Sequence, residues 1–311
     1  MDNIILTLLC LPKVGKKTVF YLIENMVDVP KDEKELLELF IESKINYKRI
    51  QQPTLDDIKI SNEKSKIIIE NSIKQNIKYI DILNEKFPQR LINIDDSPVA
   101  LFYKGNQECL LELNSVAIIG SRKAGQEGLE AAYNLGYNFG KENYNVISGL
   151  AIGCDEQAHR GCVKANGKSV AVLPCGLDNL YPSSNNDLAQ DILENNGCLI
   201  SEYCIGTRCF RNNFIERDRI QSALSSCVIV CESELDGGTM HTFNFAKKQN
   251  KIIGCVDINA SGNRKIIKEE RCITINDKFD YEKIKSQIDK LNKYNTIETK
   301  PLKTKQLKID C

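Results

Sequence analysis

Between Val116 and Val256 the chain repeats one pattern: an apolar strand ends in a short turn bearing Gly or Ser, and a helix-patterned stretch follows. The strand candidates are Val116–Ile119, Asn145–Ile147, Ser169–Leu173, Cys198–Ser201, Cys227–Cys231 and Ile252–Val256. The helix candidates between them are Glu127–Lys141, Glu156–Ala165, Leu188–Asn195, Asn213–Leu224 and Met240–Gln249. Strands rich in Val and Ile that alternate with helices form a parallel sheet covered on both faces. Such sheets bind ligands beyond the carboxyl ends of their strands, so the turns after the strands are the expected site.

The predicted fold class is α/β, an extended Rossmann-like, parallel-rich sheet with helices on both faces, preceded by a small all-helical domain. We place the helical domain at residues 1–85, without a strand, the Rossmann-like domain at 86–275, and a C-terminal helix with a frayed tail at 276–311. We predict that the helical domain is SAM/helix-hairpin-helix-like. A helix-hairpin-helix is suggested by the segment Leu11-Pro12-Lys13-Val14-Gly15-Lys16-Lys17-Thr18, although Lys13 replaces the usual first glycine. The alternative is an ordinary packing unit with solvated lysines.

Composition narrows the class of ligand and the compartment. Lys plus Arg equal Asp plus Glu at 42 each, so any nucleic-acid site must be a local patch. The 13 cysteines include no Cys-x-x-Cys pair and there are only two histidines, which predicts no metal site. Several cysteines lie inside apolar strands, as reduced thiols do in the cytoplasm. The opening apolar run is too short for a secretory signal peptide or a membrane span, so we expect a cytoplasmic protein that is not attached to a membrane. We also expect it to use no cofactor.

The first two turns predict a phosphate site. Gly120-Ser121-Arg122-Lys123 brings backbone N–H groups, a hydroxyl and two cations to the start of a helix; Arg122 could instead cap a helix or pair with an acid. In the next turn, Ser148 and Gly149 allow close backbone approach, and Asp155 suits a helix N-cap. His159 lies one turn further on the same face, more typical of a hydrogen-bonded supporting group than of a base.

The later turns add aromatic rings and further cations. After Gly176, Tyr181 precedes a proline and could stack on a base or simply form a wall that fixes the loop. A cluster of arginines with interleaved phenylalanines follows: Arg208, Arg211, Arg217 and Arg219 with Phe210 and Phe214. Such a cluster could bind single-stranded nucleic acid, through phosphate pairing and base stacking. Alternatively, the phenylalanines belong to the core and the arginines form ion pairs at the surface.

The last turn, Asp236-Gly237-Gly238-Thr239, opens a helix and is another candidate anion nest. Catalytic signatures do not occur: there is no Walker A motif, no Gly-x-Gly-x-x-Gly after a strand and no nucleophile elbow. We therefore predict that the protein binds a phosphorylated ligand and is not an enzyme. The predicted DNA- or phosphate-binding residues are Gly120, Ser121, Arg122, Lys123, Ser148, Gly149, His159, Gly176, Tyr181, Phe214, Arg217, Arg219, Gly237, Gly238 and Thr239.

Taken in order, these blocks resemble the DNA-processing protein A (Smf) family over roughly residues 85–270. The residues that carry the resemblance are Gly120-Ser121-Arg122, Ser148-Gly149-Leu150-Ala151 with Gly153, Asp155, Ala158 and His159, Cys175-Gly176-Leu177-Asp178 with Tyr181-Pro182, Ser201-Glu202, Phe214 with Arg217 and Arg219-Ile220, and Glu232 before Gly237-Gly238-Thr239.

The resemblance implies a protein that binds single-stranded DNA, forms a homodimer, and loads the RecA recombinase during natural transformation or DNA recombination. It also implies that Ser121 and Arg122 grip the DNA backbone, while Arg217 and Arg219 line or support the same pocket. Three acidic residues depart from the family pattern: Asp218 within the usual Arg-Asn-Arg, Asp236 in the glycine turn and Asp257 after the last strand.

Two other functions use the same phosphate-ready turns. One is a nucleoside-monophosphate N-glycoside hydrolase, whose fold is similar but whose signature has a glutamate where this chain has Thr242. The other is a sensor of a small nucleotide. The sequence leaves open the dimer surface, whether RecA is a partner, and whether the setting is transformation, repair or defence.

Overall fold

The computed structural model describes residues 1, 3–46, 50–276 and 278–298. It divides into two compact units, one of Met1–Phe87 with Asp95–Leu101, the other of Pro88–Ile94 with Phe102–Glu298. The predicted tail at 299–311 lies outside the described residues, and the domain boundaries inferred from the sequence stay a prediction.

The first unit is a helical cluster with one strand. Its elements are α1 Ile4–Cys10, α2 Lys16–Asn25, α3 Glu33–Asn46, α4 Leu55–Ile73 and β1 Lys78–Asp81. Leu22, Leu36, Phe40 and Ile58 form its buried core. The expectation that residues 1–85 contain no strand is wrong at β1. A four-residue strand is too short to show a clear period in sequence, and it depends on backbone partners elsewhere in the chain.

The turn between α1 and α2 is the segment that resembles a helix-hairpin-helix. Lys13 has a φ of 62°, the left-handed conformation that glycine adopts at least cost. Gly15 is the N-cap of α2, and Lys16 Nζ lies 2.8 Å from Asp96 Oδ2. The backbone thus makes a tight turn without the usual glycine, whereas its binding to DNA stays a prediction.

The second unit alternates strands and helices. Its strands are β2 Ala100–Gly105 (whose first two residues belong to the first unit), β3 Ser115–Ile119, β4 Asn145–Ser148, β5 Ser169–Leu173, β6 Cys198–Ser201, β7 Cys227–Val230, β8 Ile252–Val256 and β9 Cys272–Ile275. Its helices are α5 Gln89–Ile92, α6 Gln126–Lys141, α7 Cys154–Lys164, α8 Asn186–Glu194, α9 Arg211–Leu224, α10 Thr239–Lys248, α11 Ser261–Ile266 and α12 Lys278–Glu298. Gln107–Leu110 and Ser183–Asn185 form 3-10 turns.

The sheet of this unit has the strand order β2-β6-β5-β4-β3-β7-β8-β9. Only β2, against β6, is antiparallel among these pairings. Strands β3 to β7 are buried at every position, as a sheet covered on both faces requires. The predicted fold class is confirmed, and the six strands expected from the Val/Ile pattern all form. Strand β9 was not foreseen, since only one of its four residues is fully buried.

The helices that follow the strands cover the sheet through large apolar side chains. Phe139 of α6 packs against Tyr144 and Tyr281, with ring centroids 5.3 and 4.5 Å apart. Ile284 and Ile288 of α12 join the same buried cluster. Of the helices described, none combines the length and the apolar character that crossing a bilayer demands.

Asn263 in α11 is a buried polar residue that joins this helix to the loop after β7 and to the end of β8. Its amide nitrogen donates to Cys231 O and to Val256 O, both at 2.8 Å, and its oxygen accepts from Ser233 N at 2.8 Å. We expect Asn263→Ala to lower the free energy of unfolding by about 2 kcal/mol, because the buried Cys231 O and Ser233 N each lose a hydrogen bond and Val256 O loses one of its donors. Urea denaturation followed by circular dichroism measures this. Exposed Asn259→Ala is the control, and equal losses in the two variants would contradict the argument.

Candidate functional site

The predicted site residues lie on loops at the carboxyl edge of the parallel strands. Strand β3 has β4 on one side and β7 on the other, so the chain winds outward from β3 in both directions. This is the topological switch point, where the loops after neighbouring strands diverge and leave a crevice. The loops after β3 and β7 are joined there by Ser121 N, which donates to Glu232 O at 2.7 Å.

The turn after β3 is held rigidly. A Cβ on Gly120 would lie 2.4 Å from Cys154 Sγ and 3.2 Å from Glu232 O, so only glycine fits. Ser121 Oγ accepts from Lys123 N at 3.0 Å, and Ser121 O accepts from Cys154 N at 3.3 Å. The hydroxyl is therefore engaged within the turn, while Arg122 and Lys123 are exposed.

Arg122, Phe214 and Tyr181 come together from three different loops or helices. The guanidinium carbon of Arg122 lies 4.8 Å from the centroid of the Phe214 ring, a cation–π distance. The Tyr181 ring meets Phe214 edge-on, with centroids 5.7 Å apart and planes at 75°. Tyr181 is 48% exposed. These three side chains, which we call the aromatic–arginine cluster, present a cation beside an exposed ring.

Arg217 lies beneath this surface. It is 5% exposed, donates from one terminal nitrogen to Val172 O at 3.0 Å, and its Nε is 3.2 Å from Asp218 Oδ1. A Cβ on Gly149 would lie 1.4 Å from the same terminal nitrogen, so the guanidinium fills the space that the glycine leaves. The structure thus gives Arg217 a supporting position rather than an exposed one, and direct contact with a ligand stays a prediction.

Arg219 is also interior. It is 2% exposed and makes a bidentate ion pair from one terminal nitrogen to both Glu202 oxygens, at 2.9 and 2.7 Å. The charges of the predicted arginine cluster therefore divide along the chain: Arg208 and Arg211, before and at the start of α9, are exposed, whereas Arg217 and Arg219, in its buried second half, are paired with carboxylates. The sequence left open whether these arginines bind nucleic acid or form surface ion pairs. Arg217 and Arg219 do form ion pairs, but the pairs are buried.

The residues after β4 are buried as well. Ser148 Oγ donates to Ile118 O at 2.7 Å, and Gly149 N donates to Asp155 Oδ2 at 3.1 Å. His159 is fully buried, with Nδ1 2.7 Å from Ser169 Oγ. Burial, with the neighbouring Arg217 charge, lowers the pKa of His159 to about 3. The ring is therefore neutral at physiological pH and supports the interior, as a histidine at this spacing more often does.

The remaining predicted residues order their own loops. Gly176 N donates to Thr207 O at 3.0 Å, which ties the loop that carries Tyr181 to the segment before α9. Gly237 N donates to Glu234 O at 3.0 Å, Gly238 is the exposed N-cap of α10, and Thr239 begins that helix. Neither glycine of this pair has a positive φ. No contact that the structure records joins Gly237–Thr239 to the aromatic–arginine cluster, so their part in binding stays a prediction.

Glu232 has a role that the sequence reasoning missed. Its two carboxylate oxygens accept from Gly125 N at 3.1 and 3.0 Å, and a Cβ on Gly128 would lie 2.4 Å from one of them. Gly125 is the N-cap of α6. In dinucleotide-binding folds the first such helix N-terminus holds the pyrophosphate. Here a carboxylate of the chain fills that position, and the spacing of Gly120, Gly125 and Gly128 was the available signal.

Asp218, noted only as a departure from the family pattern, lies at the centre of a buried polar network. With its amide oxygen turned toward them, Gln221 accepts from Gly149 N at 2.7 Å and from Arg217 at 2.9 Å, and its nitrogen donates to Asp218 Oδ1 at 3.2 Å. Burial raises the pKa of Asp218 to about 7, Arg217 opposes this rise, and Asp155 adds to it. Burial likewise raises the pKa of Asp155.

Within the described ranges, no three His, Cys, Asp or Glu side chains are grouped as metal ligands would be. The Cys154, Cys162, Cys175, Cys227 and Cys231 thiols are free and buried. Burial raises the pKa of Cys162 to about 12 and that of Cys175 likewise, which keeps both as unreactive thiols near neutral pH. The chemistry offered at this edge of the sheet is thus an exposed cation, an exposed Tyr181 ring beside the half-buried Phe214 ring, and a buried charge network.

The fold and the site define a Rossmann-like α/β protein whose switch-point loops present a cation and aromatic rings. The chain belongs to the DNA recombination-mediator protein A family, whose model matches residues 78–283.

Relatives of known name agree with this assignment. DNA processing protein DprA of Streptococcus pneumoniae is 37% identical over 180 residues, which cover 58% of this chain and 62% of the relative. Protein Smf of Borreliella burgdorferi is 31% identical over 212 residues, 68% of this chain and 64% of the relative. For Protein Smf of Synechocystis the figures are 28% over 221 residues, 66% and 55%. The matched part of the chain thus spans between about half and two thirds of the length of these relatives.

Two solved structures share the fold. DNA processing protein A from Streptococcus pneumoniae superposes with a TM-score of 0.62 at 26% identity, covering 86% of this chain and 97% of that one. DNA processing protein A from Helicobacter pylori superposes with a TM-score of 0.60 at 25% identity, covering 70% and 97%. The latter structure was described for its single-stranded DNA binding mode.

Proposed function

We propose that this chain is a non-enzymatic, cytoplasmic single-stranded DNA-binding protein that acts as a homodimer, protects incoming DNA and loads the RecA recombinase. The observation that carries DNA binding is the aromatic–arginine cluster. A guanidinium pairs with a phosphate, and the face of an aromatic ring stacks with an unpaired base. The Helicobacter pylori relative, which binds single-stranded DNA, supports the choice of ligand. Protection, RecA loading and dimerisation rest on membership of the family.

Arg122 supplies the phosphate contact in this proposal. Arg122 is exposed and its guanidinium lies over the Phe214 ring, which holds the group in place. The neighbouring Lys123 adds a second exposed charge. The Arg217 and Arg219 guanidinium groups, already paired with carboxylates, hold α9 and thereby position Phe214.

The proposal is tested by titrating a labelled oligo-dT into the protein at two salt concentrations, with AMP as a competitor. Affinity should fall steeply as salt rises, because phosphate contacts release counterions from the strand. AMP in large excess over the oligonucleotide should displace little of it. Binding that is independent of salt, or an AMP affinity matching that of the polymer, would overturn the proposal.

The rings are expected to contribute base stacking. We expect Phe214→Ala to weaken oligo-dT binding by about 1–2 kcal/mol, since a stacking surface and the support under Arg122 are lost together. Fluorescence anisotropy measures the change in Kd. The control is Phe210→Ala, because Phe210 is 63% exposed in the same segment but makes neither ring contact of the cluster. If Phe210→Ala weakens binding as much as Phe214→Ala, the cluster is not the stacking site.

The alternative is a nucleotide-binding protein, either a nucleoside-monophosphate N-glycoside hydrolase or a small-nucleotide sensor. Two observations disfavour it. Glu232 occupies the N-terminus of α6, where a nucleotide phosphate would otherwise bind. Thr242 stands where the hydrolase signature has its catalytic glutamate, and it is buried with its hydroxyl bonded to Asp218. Incubation with AMP should release no free adenine, and release of adenine by purified protein would favour the hydrolase.

The RecA role has its own test. RecA should load onto an oligonucleotide faster when this protein is present, which its DNA-dependent ATPase activity reports. A control with bovine serum albumin at the same concentration excludes crowding. If this protein binds DNA as described above but does not shorten the time before RecA begins to hydrolyse ATP, RecA loading is removed from the proposal and DNA binding remains.

A further inference from the structure

Two buried carboxylates share one guanidinium beneath the aromatic–arginine cluster. Asp155 is the second residue of α7 and Asp218 lies on α9, and both are less than a tenth exposed. Arg217, also buried, has its Nε 3.2 Å from Asp218 Oδ1 and acts electrostatically on Asp155. If both carboxylates are ionised, this buried group carries a net charge of −1. A buried unpaired charge is costly, so the cluster gains from taking up one proton or from a cation nearby.

The other buried side chains named here around Asp218 supply neither a proton nor a positive charge to offset this net charge. Thr242 of α10 bonds to its carboxylate through a neutral hydroxyl, and Gln221 of α9 offers a neutral amide. His159 of α7 is neutral at physiological pH. A further cation near Asp218 is Arg122, whose guanidinium lies over the Phe214 ring, and Phe214 is one helical turn before Asp218 on the same side of α9. Arg122 is exposed, and it is the residue on which the proposed phosphate contact depends.

We infer that Asp218 controls the anion affinity of the candidate site. When Asp218 is ionised, its carboxylate attracts Arg122 and weakens the contact between Arg122 and a phosphate. When Asp218 is protonated, Arg122 is available to bind the phosphate. This rests on the proposed function, since the anion is taken to be a phosphodiester of single-stranded DNA. The proton passes from solvent to a carboxylate oxygen of Asp218 as the phosphate binds, and it returns on release. No bond to the DNA forms or breaks.

The direction of the pH effect follows from the charges. The raised pKa of Asp218, about 7, means that the carboxylate is mostly protonated at pH 6 and mostly ionised at pH 8. Ionised Asp218 attracts Arg122 and repels a phosphate, so affinity should fall as pH rises between these values. Phosphodiesters keep one negative charge throughout this range. Because ligand and proton are linked, the bound phosphate raises the pKa of Asp218 further.

The test compares wild type with Asp218→Asn, which is close to isosteric and cannot ionise. We expect the wild-type Kd for labelled oligo-dT to rise roughly three- to tenfold from pH 6 to pH 8 at constant ionic strength. Asp218→Asn should bind at pH 8 as tightly as wild type does at pH 6, and should change little with pH. His241→Gln is the matched control, since His241 is an exposed side chain on α10, the helix that also carries Thr242, and this variant should keep the wild-type pH dependence.

A second measurement, without DNA, tests the ionisation alone. The pKa of Asp218 is raised in the folded chain above the ordinary value of 3.8, so ionisation as pH rises from about 5 to 8 destabilises the fold. The melting temperature of wild type should therefore fall relative to that of Asp218→Asn over this range. A constant difference in melting temperature would overturn the inference.

The outcomes separate this inference from the proposed function. Salt-sensitive binding with the same pH dependence in wild type and Asp218→Asn would overturn the inference and leave DNA binding intact. Absence of oligo-dT binding by wild type at both pH values would overturn the proposed function, and with it the coupling, even if the melting temperatures diverge as expected. Loss of the pH dependence in Asp218→Asn alone supports both.

Discussion

Arg217→Ala is expected to lower the free energy of unfolding by about 3–5 kcal/mol, the range for breaking a buried ion pair by removing one partner. The side chain is buried between Gly149, Val172 and Asp218, and its loss removes the one buried guanidinium that acts on both Asp155 and Asp218. It also leaves a cavity against Gly149, whose surroundings close only in part. Chemical denaturation at pH 7.5, followed by circular dichroism, measures the change.

The matched control for this prediction is Arg211→Ala. Arg211 is the first residue of the same helix, α9, and is exposed, so its removal should change stability by no more than about 0.5 kcal/mol. If both variants unfold alike, Arg217 is not the buried support that the geometry indicates. A stable Arg217→Ala variant that has lost DNA binding would instead return Arg217 to the contact surface.

Arg122→Ala should leave stability almost unchanged and weaken oligo-dT binding by about 1–3 kcal/mol, roughly a 5- to 150-fold rise in Kd. The guanidinium is exposed and has its recorded contact with the Phe214 ring, so the folded chain depends little on it. A charge-assisted contact to phosphate is lost, and the slope of log Kd against log salt should fall by about one.

Two further variants sharpen the result. Arg122→Lys keeps the charge but not the planar group that lies over Phe214, so its Kd should lie between those of wild type and Arg122→Ala. Lys141→Ala removes an exposed cation at the far end of the sixteen-residue helix α6, roughly 24 Å along its axis. Wild-type affinity in Arg122→Ala, or an equal loss in Lys141→Ala, would reject the assigned phosphate contact.

The fold was predictable because its signal is local. The strands β3, β5 and β7 are continuous Val- and Ile-rich runs whose residues are all buried. Strands β1 and β9 were not predicted, since four residues with mixed burial do not show a period. They form because neighbouring backbone offers hydrogen-bond partners, which a short segment does not reveal by itself.

The candidate site was predictable only in part. Gly120, Gly149 and Arg122 lie on the expected loops, and Tyr181 and Phe214 meet although they are 33 positions apart. What sequence reasoning could not assign was which of the four arginines are buried. Arg217 and Arg219 are as charged as Arg208 and Arg211, yet they lie in the half of α9 that the rest of the protein covers, where carboxylates pair with them.

By itself, the sequence determined the class of fold and the edge of the sheet where binding residues collect, because periodicity and turn chemistry act over a few neighbouring residues. Only the tertiary structure decided which cations are exposed, that Glu232 fills the N-terminus of α6, and that Asp155 and Asp218 share one guanidinium. These depend on burial and on partners distant in the chain, such as Gly149 against Arg217. The free energy of a charge is set by what surrounds it after folding, and that environment is assembled from segments that carry no local record of one another.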